Sequence, residues 1–226
     1  MHQPLTDIFD KLEDGKKVIL VGHDFGGVCI SFVMELYPSK IAKAVFVAAT
    51  MLSNGQSALV CIVPTSLDVK SEHKLLCQMG SNDVMRQTQI FLYGNGRNNP
   101  PTADVALASI SMRPIPFEPI LEKLTLSDTN YSSIRRFYIK TQEDRAISIC
   151  LQEAMIESNQ PERVFQLKGS DHALFFSRPH GLHRILVDNI CCSYYHILEL
   201  VTTHLSCEFG FNPQHGMPSN YFLFFF

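Results

Sequence analysis

The stretch Lys17-Val-Ile-Leu-Val-Gly-His-Asp-Phe-Gly-Gly27 constrains this chain more than any other. Val18–Val21 is a short unbroken apolar run, the pattern of a strand buried on both faces of a parallel sheet. Gly22-His-Asp-Phe-Gly-Gly27 ends it abruptly. A helical pattern follows from Val28 to about Tyr37, and Pro38 stops it. A strand that reverses into a helix over so few residues brings two backbones close together. Gly22 and Gly26 are expected where no Cβ fits. Asp24, at the centre, is expected in strained geometry with its side chain held above the sheet.

Residue 24 decides the chemistry. Turns of the form G-x-S-x-G present a serine there, and this chain presents Asp24. A serine attacks an ester carbonyl after losing its proton to a histidine. A carboxylate is already ionised near pH 7 and suits attack at an sp3 carbon, as in an epoxide or alkyl halide. The product is an ester intermediate that water then cleaves. Attack on an ester carbonyl would instead give a reactive acid anhydride, and a carboxylate is a weak nucleophile for that step. The plainer alternative is a glycine-rich turn with no chemistry.

Taken in order, Leu5, Ile8, Phe9 and Leu12 mark one helical face, closed by Glu13, Asp14 and Gly15. The strand and helix of the turn come next, with Val28, Ile30, Phe32, Val33 and Leu36 as the helix's apolar face. Ile41–Ala49 is the following buried strand, completing a right-handed βαβ unit. From Thr50 to about Asn130 regularity is lost among Pro64, Pro100, Pro101, Pro114, Pro116 and Pro119. Gly94-Asn-Gly96 reads as a turn and Asp83–Leu92 as a short helix. This region is expected to be a cap that shapes substrate choice. Ile134–Thr141 is a strand with Gln142, Glu143 and Asp144 at its carboxyl end. Ser148–Ser158 is helical, with Ile149, Leu151, Ala154, Met155 and Ile156 available to the core. Arg163–Leu167 is a strand followed directly by Gly169-Ser-Asp-His172. A last helix runs to about Ile190 with Pro179 in its first turn. Cys191–Phe226 is aromatic and Cys-containing, without a periodicity that packs it on the sheet, and is expected to be an unmatched, poorly ordered tail.

Composition excludes several classes. The 226 residues suffice for one large domain, 46% hydrophobic and 18% charged, with no internal repeat. A net charge of −3 argues against a nucleic-acid partner. No apolar run is long enough to span a membrane, and Met-His-Gln-Pro is neither a signal nor a transit peptide. The seven cysteines are irregularly spaced, which reads as reduced thiols in an intracellular protein. No pair has zinc spacing, so neither a metal nor another cofactor is expected.

Asp24, Asp144 and His172 all follow parallel strands at their carboxyl ends, the edge where open α/β sheets gather their chemistry. In these roles His172 accepts a proton from water or a nucleophile. Asp144 fixes its tautomer. The Phe25 backbone N–H serves as half of an oxyanion hole. Glu143 competes with Asp144 for the acid position. His23 is expected to pack or hydrogen-bond beneath the turn, and Asp171 to face a turn.

Four blocks together resemble the plant methylesterase and hydroxynitrile lyase group of α/β-hydrolases. They are Val21-Gly-His-Asp-Phe-Gly-Gly27, the run Met34–Phe46, the run Arg136–Ile147 and Phe165-Gln-Leu-Lys-Gly-Ser-Asp-His172. More narrowly they are similar to that group's chloroplast branch, in which Asp replaces the usual Ser. The resemblance implies an α/β fold: a partial α/β-hydrolase over residues 1–190, with a parallel sheet, helices on both faces and a reduced cap at about 50–130. It implies a nucleophile position at Asp24, an acid at Asp144 and a base at His172. It also implies a small hydrophobic ester as substrate, such as methyl salicylate, methyl jasmonate or methyl indole-3-acetate, and a chloroplast address. The family begins with further strands and a His-Gly-rich loop that supplies a second oxyanion N–H. This chain begins just before the strand of the turn. The amino-terminal strands are therefore expected to be missing, leaving a bare apolar strand edge prone to self-association. Two other functions remain open. One is an epoxide-hydrolase-like enzyme with Asp24 as nucleophile and Tyr93 or Tyr131 as proton donor. The other is a non-catalytic fragment or ligand-binding module.

Overall fold

The computed structural model describes residues 3–58, 121–190, 199–203 and 220–225. The proposed helix Asp83–Leu92, Tyr93 and most of the cap lie outside the described residues. Helix α1 spans Gln3–Asp10, strand β1 Lys17–Asp24, helix α2 Gly26–Leu36 and strand β2 Ile41–Ala49. Next among the described elements, beyond the region expected to be a cap, come β3 (Arg136–Thr141), α3 (Ile149–Asn159) and β4 (Arg163–Leu167). Two short helices, α4 (Leu174–Ser177) and α5 (Pro179–Arg184), complete this part, and α5 runs on as a wider π-helical stretch, Ile185–Ile190. Pro179 opens α5, where its missing N–H costs nothing. Strands β5 (Glu199–Thr203) and β6 (Asn220–Phe225) follow.

All the strands pair in parallel, in the order β4-β3-β2-β1-β6-β5. Strand alternation sends odd and even residues to opposite faces, and both faces of β1 are covered. Val18 and Leu20 join Phe46, Ile30, Val33, Phe9 and Met155 in one core beneath α1, α2 and α3. Ile19 and Val21 join Val45, Val47, Ile139, Leu174 and Leu186 in a second core against α4, α5 and the π-helical stretch. Each such fully buried side chain contributes about 1.5–3 kcal/mol from burial. That is why β1 reads as an unbroken apolar run.

Three expectations need correction. Leu36 is 49% exposed at the end of α2, because the helix turns its last residue away from the sheet. On α3 the buried positions are Gln152 and Met155, while Ala154 is exposed. A buried glutamine in an apolar pattern is invisible to periodicity. The third concerns the edge of β1, which is not bare. Strand β6 pairs with it from Lys17 to Gly22, and β5 lies outside β6. These two strands come from the segment expected to be a poorly ordered tail. Their residues, Glu-Leu-Val-Thr-Thr and Asn-Tyr-Phe-Leu-Phe-Phe, are rich in strand-favouring types. Among the described residues no helix is long and apolar enough to cross a membrane.

Candidate active site

The turn between β1 and α2 is tight at Gly22, as expected, and at Gly27. A Cβ on Gly22 would lie 2.7 Å from the Gly26 carbonyl oxygen, and one on Gly27 only 2.1 Å from that of Thr50. The second position was not singled out from sequence, since its neighbour, Thr50, lies just past the next strand. The Thr50 N–H donates to the Asp24 carbonyl at 2.9 Å, tying the turn to the end of β2. Asp24 itself has φ 52, in the left-handed region where few non-glycine residues go. Its side chain remains 31% exposed at the carboxyl edge of the sheet.

Asp144, in the loop after β3, is held from four directions. Thr141 Oγ1 donates to its Oδ2 at 2.8 Å, and the backbone N–H groups of Ala146 and Ile147 donate to Oδ1 at 2.8 and 2.9 Å. The fourth contact is His172 Nδ1, 2.9 Å from Oδ2. Gln152 secures the same loop from α3. Its amide donates to the Thr141 carbonyl and hydroxyl and to the Ile147 carbonyl, and accepts from the Thr141 N–H. Glu143 is exposed, and only its backbone is used, donating to the Ser170 carbonyl. Of the two acids, the loop turns Asp144 inward and Glu143 outward.

His172 follows β4 and lies between the two aspartates. Its Nε2 is 3.7 Å from Asp24 Oδ2, a charge contact longer than a hydrogen bond. Burial disfavours the imidazolium, but the hydrogen bond to Asp144 and the nearby Asp24 outweigh it, and its pKa rises from 6.5 to about 10. The two carboxylates thus favour the protonated ring in the resting site. Asp144 leads this effect, and the charge on residue 24, which a neutral serine would not carry, adds to it. Burial pulls Asp24 upward in turn, but His172, with help from the Phe25 backbone N–H, holds its carboxyl below the ordinary value. Phe25 N–H thus serves the Asp24 carboxylate.

His23 completes the cluster. Its Nε2–H donates to the His172 carbonyl at 2.9 Å, its ring lies 4.5 Å from that of His172, and Phe175 meets it edge-on. Burial and the neighbouring imidazolium push its pKa down to about 4, so it stays neutral. Asp171 is half-buried, and its Oδ1 has no hydrogen-bond partner among the described residues. Tyr131, weighed as a proton donor, is buried ahead of the amino end of β3, with Arg136 over its ring. Asp24, Asp144 and His172 gather at the opposite, carboxyl end of the sheet. Thr141 and Gln152 were not given roles from sequence; a buried polar residue carries no signal in a periodicity.

These shifts set a pH dependence. A histidine whose folded pKa is raised stabilises the fold fully below 6.5 and loses that contribution as pH climbs through about 10. His23, shifted the other way, contributes above 6.5 and loses it as pH falls through about 4. Urea titrations of the chain and of His172→Gln are expected to show a stability gap that shrinks between pH 7 and 10. A gap constant over that range would contradict the assignment of the imidazolium.

The model of the alpha/beta hydrolase family matches residues 2–185. The chain is 56% identical over 205 residues to "Putative methylesterase 11, chloroplastic" of Arabidopsis thaliana, covering 82% of this chain and 49% of that protein. It is 32% identical over 200 residues to methyl jasmonate esterase 1 of Vitis vinifera, covering 79% of this chain and 72% of the other. Among solved structures, a methylesterase from Arabidopsis superposes with a TM-score of 0.65 at 25% identity, covering 84% of this chain and 76% of that one. The chain spans about half the length of the curated chloroplastic relatives it matches.

Proposed function

The chain belongs to the plant methylesterase family of the alpha/beta hydrolases, and on that footing we propose that it hydrolyses methyl esters of small hydrophobic carboxylic acids. One observation carries the reading. His172 bridges Asp144 at 2.9 Å and Asp24 at 3.7 Å, with Asp24 raised on a left-handed turn and accessible. Asp24 is the group that meets the substrate, His172 moves the proton, Asp144 orients His172, and the Phe25 N–H steadies negative charge at residue 24. Methyl jasmonate, methyl salicylate and methyl indole-3-acetate are the substrates to try first. The chloroplastic names of the 55–56% identical relatives support a plastid address.

The test is release of free acid from these three esters by the purified 226-residue chain, followed by chromatography. At least one ester is expected to be turned over, and His172→Ala to lower the rate by about 10²–10⁴-fold, the usual worth of a positioned acid–base group. No acid above the blank, or release indifferent to the substitution, would overturn the reading. Epoxide opening has lost one of its two proton donors, because Tyr131 lies at the wrong end of the sheet.

A further inference from the structure

We infer that the site, taken as a methylesterase, breaks the methyl–oxygen bond of its substrate by attack of the Asp24 carboxylate on the methyl carbon. A serine enzyme would break the acyl–oxygen bond instead. The inference rests on the preceding reading and adds which bond is cut.

The geometry leaves Asp24 in the position of an attacking group. It stands on the strained turn with φ 52, its side chain partly open to solvent and one oxygen beside His172 Nε2. Attack at the acyl carbon from this position goes nowhere. The tetrahedral adduct would choose between expelling the Asp24 carboxylate, the anion of a carboxylic acid, and methoxide, whose acid is about as weak as water. Asp24 leaves first, and the substrate returns. At the methyl carbon the choice disappears. The incoming and departing groups are both carboxylates of similar basicity, so displacement is close to balanced.

The steps balance with the groups present. An Asp24 oxygen forms a bond to the methyl carbon as the bond from that carbon to the ester oxygen breaks. The electron pair leaves with the substrate's carboxylate. Asp24 is now a neutral methyl ester, and His172 has lost one of the two charges that keep it protonated. Its proton passes to solvent, and the neutral imidazole takes a proton from water as that water attacks Asp24 Cγ. The oxyanion forms where the Phe25 N–H already meets the carboxylate. Collapse returns the His172 proton to the departing methoxide, giving methanol. The carboxyl regenerated at Asp24 gives its proton to His172. The net reaction is ester plus water to carboxylate, methanol and one proton. The protonated resting state of His172, awkward for a serine-type reaction, becomes a timing device: the ring turns into a base only after Asp24 has been alkylated.

Turnover in water enriched in oxygen-18 tests this directly. The acid product is expected to carry no label, the peptide containing Asp24 to gain one labelled oxygen, and methanol to become labelled over later turnovers. A phenyl ester of the same acid is more reactive than the methyl ester toward acyl attack, yet closed to displacement at its sp2 carbon. It is expected to survive. Label in the acid, or faster cleavage of the phenyl ester, overturns alkyl–oxygen cleavage while leaving the methylesterase reading standing. No acid from any ester removes both.

Discussion

Asp24→Asn is expected to abolish methyl-ester turnover, by at least about 10³-fold, without unfolding the chain. The substitution keeps the shape of the side chain, and asparagine tolerates the left-handed φ of 52 as well as aspartate does. Only the charge is lost. With it go the attacking group, whose removal from an active site commonly costs several orders of magnitude, and one of the two partners that hold His172 protonated. A second readout separates this from misfolding. The imidazole of His172 is expected to titrate near 10 in the parent chain and clearly lower in Asp24→Asn, followed by nuclear magnetic resonance. Retained turnover, or an unmoved His172 titration, would show that residue 24 neither reacts nor sets the charge of the ring.

Gly27→Ala is expected to give the largest loss of stability of any single methyl addition at the turn. Its Cβ would meet the Thr50 carbonyl oxygen at 2.1 Å, and that oxygen is backbone at the end of β2 and cannot swing away. Either α2 lifts from the sheet or the strand shifts, and overpacking of this kind costs about 1–3 kcal/mol or more. Gly22→Ala is expected to follow, with a contact of 2.7 Å to the Gly26 oxygen. Gly15→Ala is the control, because nothing lies within 4 Å of its Cβ and only its positive φ is strained. Urea unfolding of the three variants measures the order. A Gly27→Ala chain as stable as Gly15→Ala would mean that α2 is not pressed against β2 as described.

The sequence by itself determined the parts of this protein that depend on short-range pattern. An apolar run cut by glycines, then a helical period, identified β1, the turn and α2. Ile41–Ala49 and Arg163–Leu167 appear as strands with the same bounds. Asp24 stood out because it closes a strand, and Asp144 and His172 because each follows one within a few residues. Where two neighbours competed, pattern was silent. Glu143 and Asp144 are equivalent as text, and the loop's hydrogen bonds from Thr141, Ala146 and Ile147 decide between them. Gln152 and Gly27 owe much of their importance to Thr141 and Thr50, too far along the chain for any local period to encode. The edge of β1 is likewise covered by residues from the far end of the chain. Most of all, the charge of His172 was decided by tertiary structure alone. It depends on two carboxylates, one on each side of the ring, drawn from different strands into the same few ångströms. Electrostatic coupling falls with distance in space and takes no account of distance in sequence.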